Sequence, residues 1–147
     1  MSSLIEKFIW KNAVLIGVGL WVFGFFFGWA LMAAMGIDPN EEDFNIDHED
    51  YWTFEAIMVP VFVILGLATL YWYFRSSGID SEIWVTEALL VGVTIMAIQF
   101  ILDTIFLAII LEGGIEYFFA LVTVSYLLIP VWALLAGYFV RVYQTPS

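Results

Sequence analysis

The stretch AVLIGVGLWVFGFFFGWALMAAMGI, residues 13–37, contains no charged side chain. At 1.5 Å of rise per residue, a helix of this length reaches about 37 Å, enough to cross the roughly 30 Å hydrocarbon core of a bilayer with some tilt. An apolar core this long exceeds that of a cleaved signal peptide, so the segment reads as an anchor. Lys7 and Lys11 precede it, and an abrupt change follows it. Between Gly36 and Asp50 stand seven carboxylates (Asp38, Glu41, Glu42, Asp43, Asp47, Glu49 and Asp50), together with Pro39 and His48. No bilayer core accepts such a run, so it is read as a water-exposed acidic loop, residues 36–50.

The same alternation continues outward from this boundary. Tyr51 and Trp52 mark re-entry at the interface, and a second apolar segment runs to the aromatic cluster Tyr71, Trp72, Tyr73, Phe74 before Arg75. A short polar turn with Gly78 leads into a third segment, and the Gly113–Gly114 pair separates that from a fourth. The expected helices cover residues 12–36, 51–74, 83–111 and 117–140. Composition agrees: 63% of the 147 residues are hydrophobic, 13% are charged, and mean hydropathy is +0.98. Ordinary soluble domains do not approach this bias, and the length leaves no room for a separate soluble domain beside four crossings. The fold expected is an all-α membrane protein, a four-transmembrane-helix bundle with short connections.

The formal net charge is −11, but its distribution says more than its size. The basic residues Lys7, Lys11, Arg75 and Arg141 all fall on one side of a four-span arrangement. The positive-inside rule makes that side cytoplasmic, so both termini are expected inside a cell membrane and the acidic loop outside. Partners are then the lipid bilayer and other membrane helices or further copies of the chain; nucleic acid is not among them. Helices one and two do not resemble three and four, so an inverted-repeat transporter finds no support. The build resembles that of many small prokaryotic four-helix membrane proteins, a likeness of architecture that carries no function by itself.

Several chemistries are excluded. With no cysteine there are no disulfides, thiolate metal sites or iron–sulfur clusters, and the single histidine, His48, cannot supply paired axial haem ligands. No nucleophile–histidine–acid set, metal cluster or phosphate-binding glycine loop is present, so neither an enzyme nor a cofactor is expected.

Asp103 is the residue on which a functional reading turns. Placing an ionised carboxylate in a membrane helix costs about 2.5–3.5 kcal/mol on insertion scales, so it either stays protonated or faces the interior with hydrogen-bond partners. Gln99 lies one turn earlier on the same face. Asp103 is eight residues from Leu111, about 12 Å below the outer boundary, and counting inward along the other helices brings Gly28, Pro60, Thr123, Ser125 and Tyr126 to similar depth. A polar cluster of Asp103, Gln99, Tyr126 and Ser125 is therefore expected. It is either a proton or cation site or a set of hydrogen bonds holding helices three and four in register. Glu55 and Glu87 lie nearer the interfaces and are expected within reach of water. Glu87 sits roughly 160° around the helix from Asp103, so helix three alone does not line the two up as a relay.

Two further patterns stand out. Gly17, Gly24 and Gly28 share one face of helix one, and Ala88 with Gly92 and Ala133 with Gly137 repeat the small-residue spacing. Such faces permit close backbone approach, within one bundle or across an oligomer seam. Pro60 and Pro130 are expected to kink the helices that contain them. In the loop, Asp38, Asn40, Glu42 and Glu49 fall at calcium-ligand positions of an EF-hand count. Asp43 stands where that turn requires glycine, so the match reads first as a solvated, cation-attracting surface, or as the acid-rich surface of a protein adapted to high salt.

The functions these features suggest are a non-enzymatic accessory or oligomer-forming membrane component, or a small proton- or cation-coupled transporter or channel centred on Asp103. Grooves for acyl chains or quinones form a third possibility.

Overall fold

A computed structural model describes residues 2–37, 49–78, 82–110 and 125–144. Apart from short turns, these form helices: α1 (Ser2–Met35), α2 (Tyr51–Ser77), α3 (Trp84–Asp103) continued by a π-helical segment (Thr104–Ile110), and α4 (Ile129–Gln144). Three stretches are long and apolar enough to cross a membrane: Asn12–Met35, Tyr51–Ser77 and Trp84–Phe106, each containing an 18-residue window with a mean hydropathy of 2.1. The apolar part of α4, Ile129–Tyr143, is shorter.

The helix ends follow from local chemistry. α1 starts ten residues before the expected boundary at residue 12, because nothing between Ser2 and Lys11 breaks a helix and a helix need not stop where the lipid does. It ends at Met35. Gly36 takes a positive φ of 78°, Ile37 N–H reaches Met32 O at 2.9 Å and Gly36 N–H reaches Ala33 O at 3.2 Å. These two reversed bonds make a Schellman cap, and Ile37 is buried as that motif favours. At the far end of α2, Gly78 at φ 71° stops the helix, and the Ser76 and Ser77 hydroxyls bond back to Tyr73 O. Pro60 lies within α2 on its exposed flank, as does Ala56, whose carbonyl loses its usual donor.

Two expectations need correction. The third segment is not one α-helix over 83–111: at Thr104 the backbone passes from α to π turns. The Thr104 N–H forks between Phe100 O and Ile101 O while its hydroxyl also bonds Phe100 O at 2.6 Å. Back-bonding of this kind bends helices, and here it sits at the junction. The fourth segment is not continuous across Pro130 either. Ser125–Tyr126 form a helical turn, Leu127–Leu128 are a turn, and α4 begins at Ile129. Pro130 thus occupies the first turn of α4, where its missing N–H costs nothing, instead of kinking a longer helix. Residues 117–124 of the expected span lie outside the described residues.

Contacts between helices give their directions. Gly17 meets Gln99 and Trp21 meets Asp103, so α1 and α3 run the same way. Gly24 lies against Phe62 and Gly28 against Met58 and Phe54, so α2 runs opposite to α1. Phe100 meets Tyr126 while Trp84 meets Tyr138, so α4 runs opposite to α3. The tightest seam is α3 on α4. A Cβ added at Gly92 would stand 2.6 Å from Pro130 Cα and 2.9 Å from Ala133 Cβ. Ala88, Ala133, Ala136 and Gly137 are buried alongside, so the small-residue pairs of both helices allow this approach. Gly66 of α2 faces the ring of Trp132, which a Cβ added there would meet at 3.5 Å. The outer surface is apolar: Leu15, Phe26, Ile64, Trp72 and Ile109 are all more than 60% exposed, which suits hydrocarbon and not water.

Candidate functional site

Asp103 is buried at the end of α3, where the α and π segments join. Its Oδ1 accepts a hydrogen bond from Trp21 Nε1 at 2.7 Å, across 82 residues of sequence. The Tyr126 hydroxyl donates to the same carboxyl group. One turn earlier, Gln99 is fully buried, and its Nε2 donates to the Gly17 carbonyl at 2.8 Å, again 82 residues away. The equal offsets follow from the parallel course of α1 and α3: residues four apart on one helix meet residues four apart on the other. Gly17 makes this possible, since a Cβ there would lie 2.9 Å from Ile98 Cδ1.

Aromatic rings fix the two donors. The Trp21 indole stacks on Phe25 at 5.1 Å and tilts against Phe106 at 4.8 Å. The Tyr126 ring meets Phe100 edge-on at 5.6 Å and Phe62 at 6.1 Å. Each donor therefore has little freedom to leave the carboxyl. α1 and α3 contribute polar groups to the layer, α2 contributes Phe62, and Tyr126 enters from the helical turn that precedes α4.

Among the expected cluster, the structure brings Asp103 and Tyr126 together and sets Gln99 on the same face with its amide turned to α1. Ser125 is half-buried beside Tyr126, its carbonyl accepting Leu128 N–H at 3.1 Å. Sequence reasoning missed Trp21 and placed Gly28 at this depth instead. Counting from helix ends assumed a common boundary at the depth of Gly28, but Trp21, which meets Asp103, lies fourteen residues before the end of α1 at Met35. A signal for Trp21 was present: it falls on the Gly17, Gly24, Gly28 face, where a residue with a lone N–H donor is turned inward. Of those glycines, Gly17 meets α3 while Gly24 and Gly28 meet α2.

Glu55 departs from expectation. It is buried, not within reach of water, and takes a hydrogen bond from Tyr51, one turn before it. Depth along the helix suggested an interfacial group, but its seven-residue spacing from Phe62 puts it on the inward face of α2. Glu87 is half-buried. Among the described residues, three buried side-chain atoms have no hydrogen-bond partner: Glu55 Oε2, Tyr73 Oη and Gln99 Oε1.

Of the acidic loop, Asp38, Asn40 and Glu42 lie outside the described residues, and Glu49 is exposed. Among the described residues no group of three or more His, Cys, Asp or Glu side chains could hold a metal ion. A groove of about 270 Å³ opens between α1 and α2, lined by Ile16, Gly19, Leu20, Phe23, Leu65 and Thr69. No protein-family model matches the chain, and no curated protein or solved structure does so either.

Proposed function

We propose that this chain is a non-enzymatic component of the cell membrane, spanning it four times with both termini cytoplasmic, and that the Asp103 layer is an internal lock. The carrying observation is where the polar side chains of that layer are directed. The Asp103 carboxyl is taken up by Trp21 and Tyr126, and the Gln99 amide by Gly17, each bond joining one helix to another. Interhelical bonds of this kind average about 0.6 kcal/mol in membranes and reach about 1.7, a scale suited to fixing register. The outward faces are then free for partner helices or further copies of the chain, which is the accessory or oligomer-forming role.

The helix directions support the four-span orientation. With α1 and α3 pointing one way and α2 and α4 the other, Lys7, Lys11, Arg75 and Arg141 gather at one end. Because the chain has no cysteine, single cysteines report sidedness cleanly. Asp47→Cys is expected to react with an impermeant maleimide on intact cells, and Ser77→Cys only after permeabilisation. The reverse pattern would overturn the orientation.

A second reading, a proton- or cation-coupled transporter centred on Asp103, is favoured by one observation: Gln99 Oε1 is buried and unpartnered one turn away. Purification in mild detergent with native mass spectrometry, followed by reconstitution into liposomes, separates the two. The lock reading expects a stoichiometric partner or a homo-oligomer, and no ion flux from wild type or Asp103→Asn. A flux carried by the protein alone, and abolished in a normally folded Asp103→Asn variant, would contradict it.

A further inference from the structure

We propose that Gln99 Oε1 and the Asp103 carboxyl form a binding site for a single buried water molecule in the membrane interior. This deepens the lock reading and rests on the same layer, but it concerns what the layer binds, not what the protein does.

The reasoning starts from the side-chain amide. Gln99 is fully buried and its Nε2 is committed to Gly17 O at 2.8 Å, so exchanging the amide nitrogen and oxygen would press two acceptors together. Oε1 is therefore the free end, and it has no partner among the described residues. A buried amide oxygen left unpaired costs about 1–3 kcal/mol. Only a hydrogen-bond donor or a cation relieves this.

A cation fits poorly. Hard cations take six or more oxygen ligands, and no set of three candidate side chains stands here among the described residues. A water molecule fits the chemistry on offer. It brings two donors, and a buried water needs only two to four polar partners. Gln99 Oε1 supplies one acceptor. Asp103, four residues on and facing the same way, supplies the second, because a carboxylate has about four lone-pair sites and Trp21 and Tyr126 occupy two. The water thus completes a chain from Gly17 through Gln99 and Asp103 to Trp21, closing a ring of hydrogen bonds between α1 and α3.

The chain contains two glutamines, Gln99 and Gln144, so the Gln144→Asn variant of the full protein carries a single glutamine probe. With ¹³C-glutamine incorporated and the protein in lipid bilayers, water-edited solid-state NMR reads transfer from water protons to the side-chain carbonyl carbon. The expected result is rapid build-up at Gln99, several-fold faster than in Asp103→Leu, which removes the second acceptor. Should Asp103→Leu fail to fold, the comparison is the Gln99 Cα in the same spectrum, which is expected to build up several-fold more slowly than the side-chain carbonyl. No faster transfer to the side-chain carbonyl than to Cα would overturn the proposal. So would transfer only from a carboxylic-acid proton frequency, which would mean Asp103 itself donates to Oε1. Loss of the water signal with no ion flux leaves the lock reading intact; water present together with an Asp103-dependent flux retains this site and defeats the lock.

Discussion

Replacing Gly92 by leucine is expected to pry α3 from α4 and abolish the folded state, and even Gly92→Ala is expected to destabilise by about 1–3 kcal/mol. The first new atom would meet Pro130 Cα at 2.6 Å, Ala133 Cβ at 2.9 Å and Ile129 O at 3.3 Å. Two of these belong to the backbone, so no rotamer change relieves the overlap and a whole helix must move. Gly19 provides the comparison, since nothing lies within 4 Å of a Cβ there. Gly19→Ala is expected to cost nothing and to gain up to about 1 kcal/mol from helix propensity. Denaturant midpoints in detergent check both. A wild-type midpoint for Gly92→Leu would mean that α3 and α4 do not pack as described.

The second large effect is at Asp103. In Asp103→Leu the Trp21 indole N–H and the Tyr126 hydroxyl both lose their acceptor while staying clamped between aromatic rings. Each unsatisfied buried donor costs about 1–3 kcal/mol, so a loss of about 2–6 kcal/mol is expected. Asp103→Asn retains an oxygen at the Oδ1 position and removes the need to bury a charge, so it is expected to cost much less. The ordering, leucine far below asparagine and asparagine near wild type, is the signature of a hydrogen-bonded lock. Equal loss in both variants would require the charge itself.

Much of this was legible beforehand because lipid imposes simple constraints. Apolar runs bounded by Lys11, the residue 36–50 acids, Arg75 and Arg141 marked the helices, and Gly36 marked the end of α1. The π turns after Asp103 were not legible, since hydropathy does not report which carbonyl an N–H selects. Nor was the start of α4: Leu127 and Ile129 are equally apolar, and only the ring of Pro130 separates turn from helix. In the site, Gln99 and Asp103 could be paired because four residues along one helix is a fixed geometry. Their partners on α1 could not, because these depend on where two helices cross. Gly17 in particular contributes a backbone carbonyl, which no side-chain pattern reveals. Glu55 shows the same lesson from the other direction, since its face on α2 outweighs its nearness to the helix end.

The measurement that bears most directly on the internal lock is a double-mutant cycle between Trp21→Phe and Asp103→Leu, read from reversible unfolding in lipid or mixed micelles. A direct 2.7 Å bond between α1 and α3 predicts a favourable coupling of about 0.6–1.7 kcal/mol, with the double variant less destabilised than the sum of the singles. Strictly additive losses would mean that Trp21 and Asp103 stabilise the protein independently, and the proposed lock would not exist.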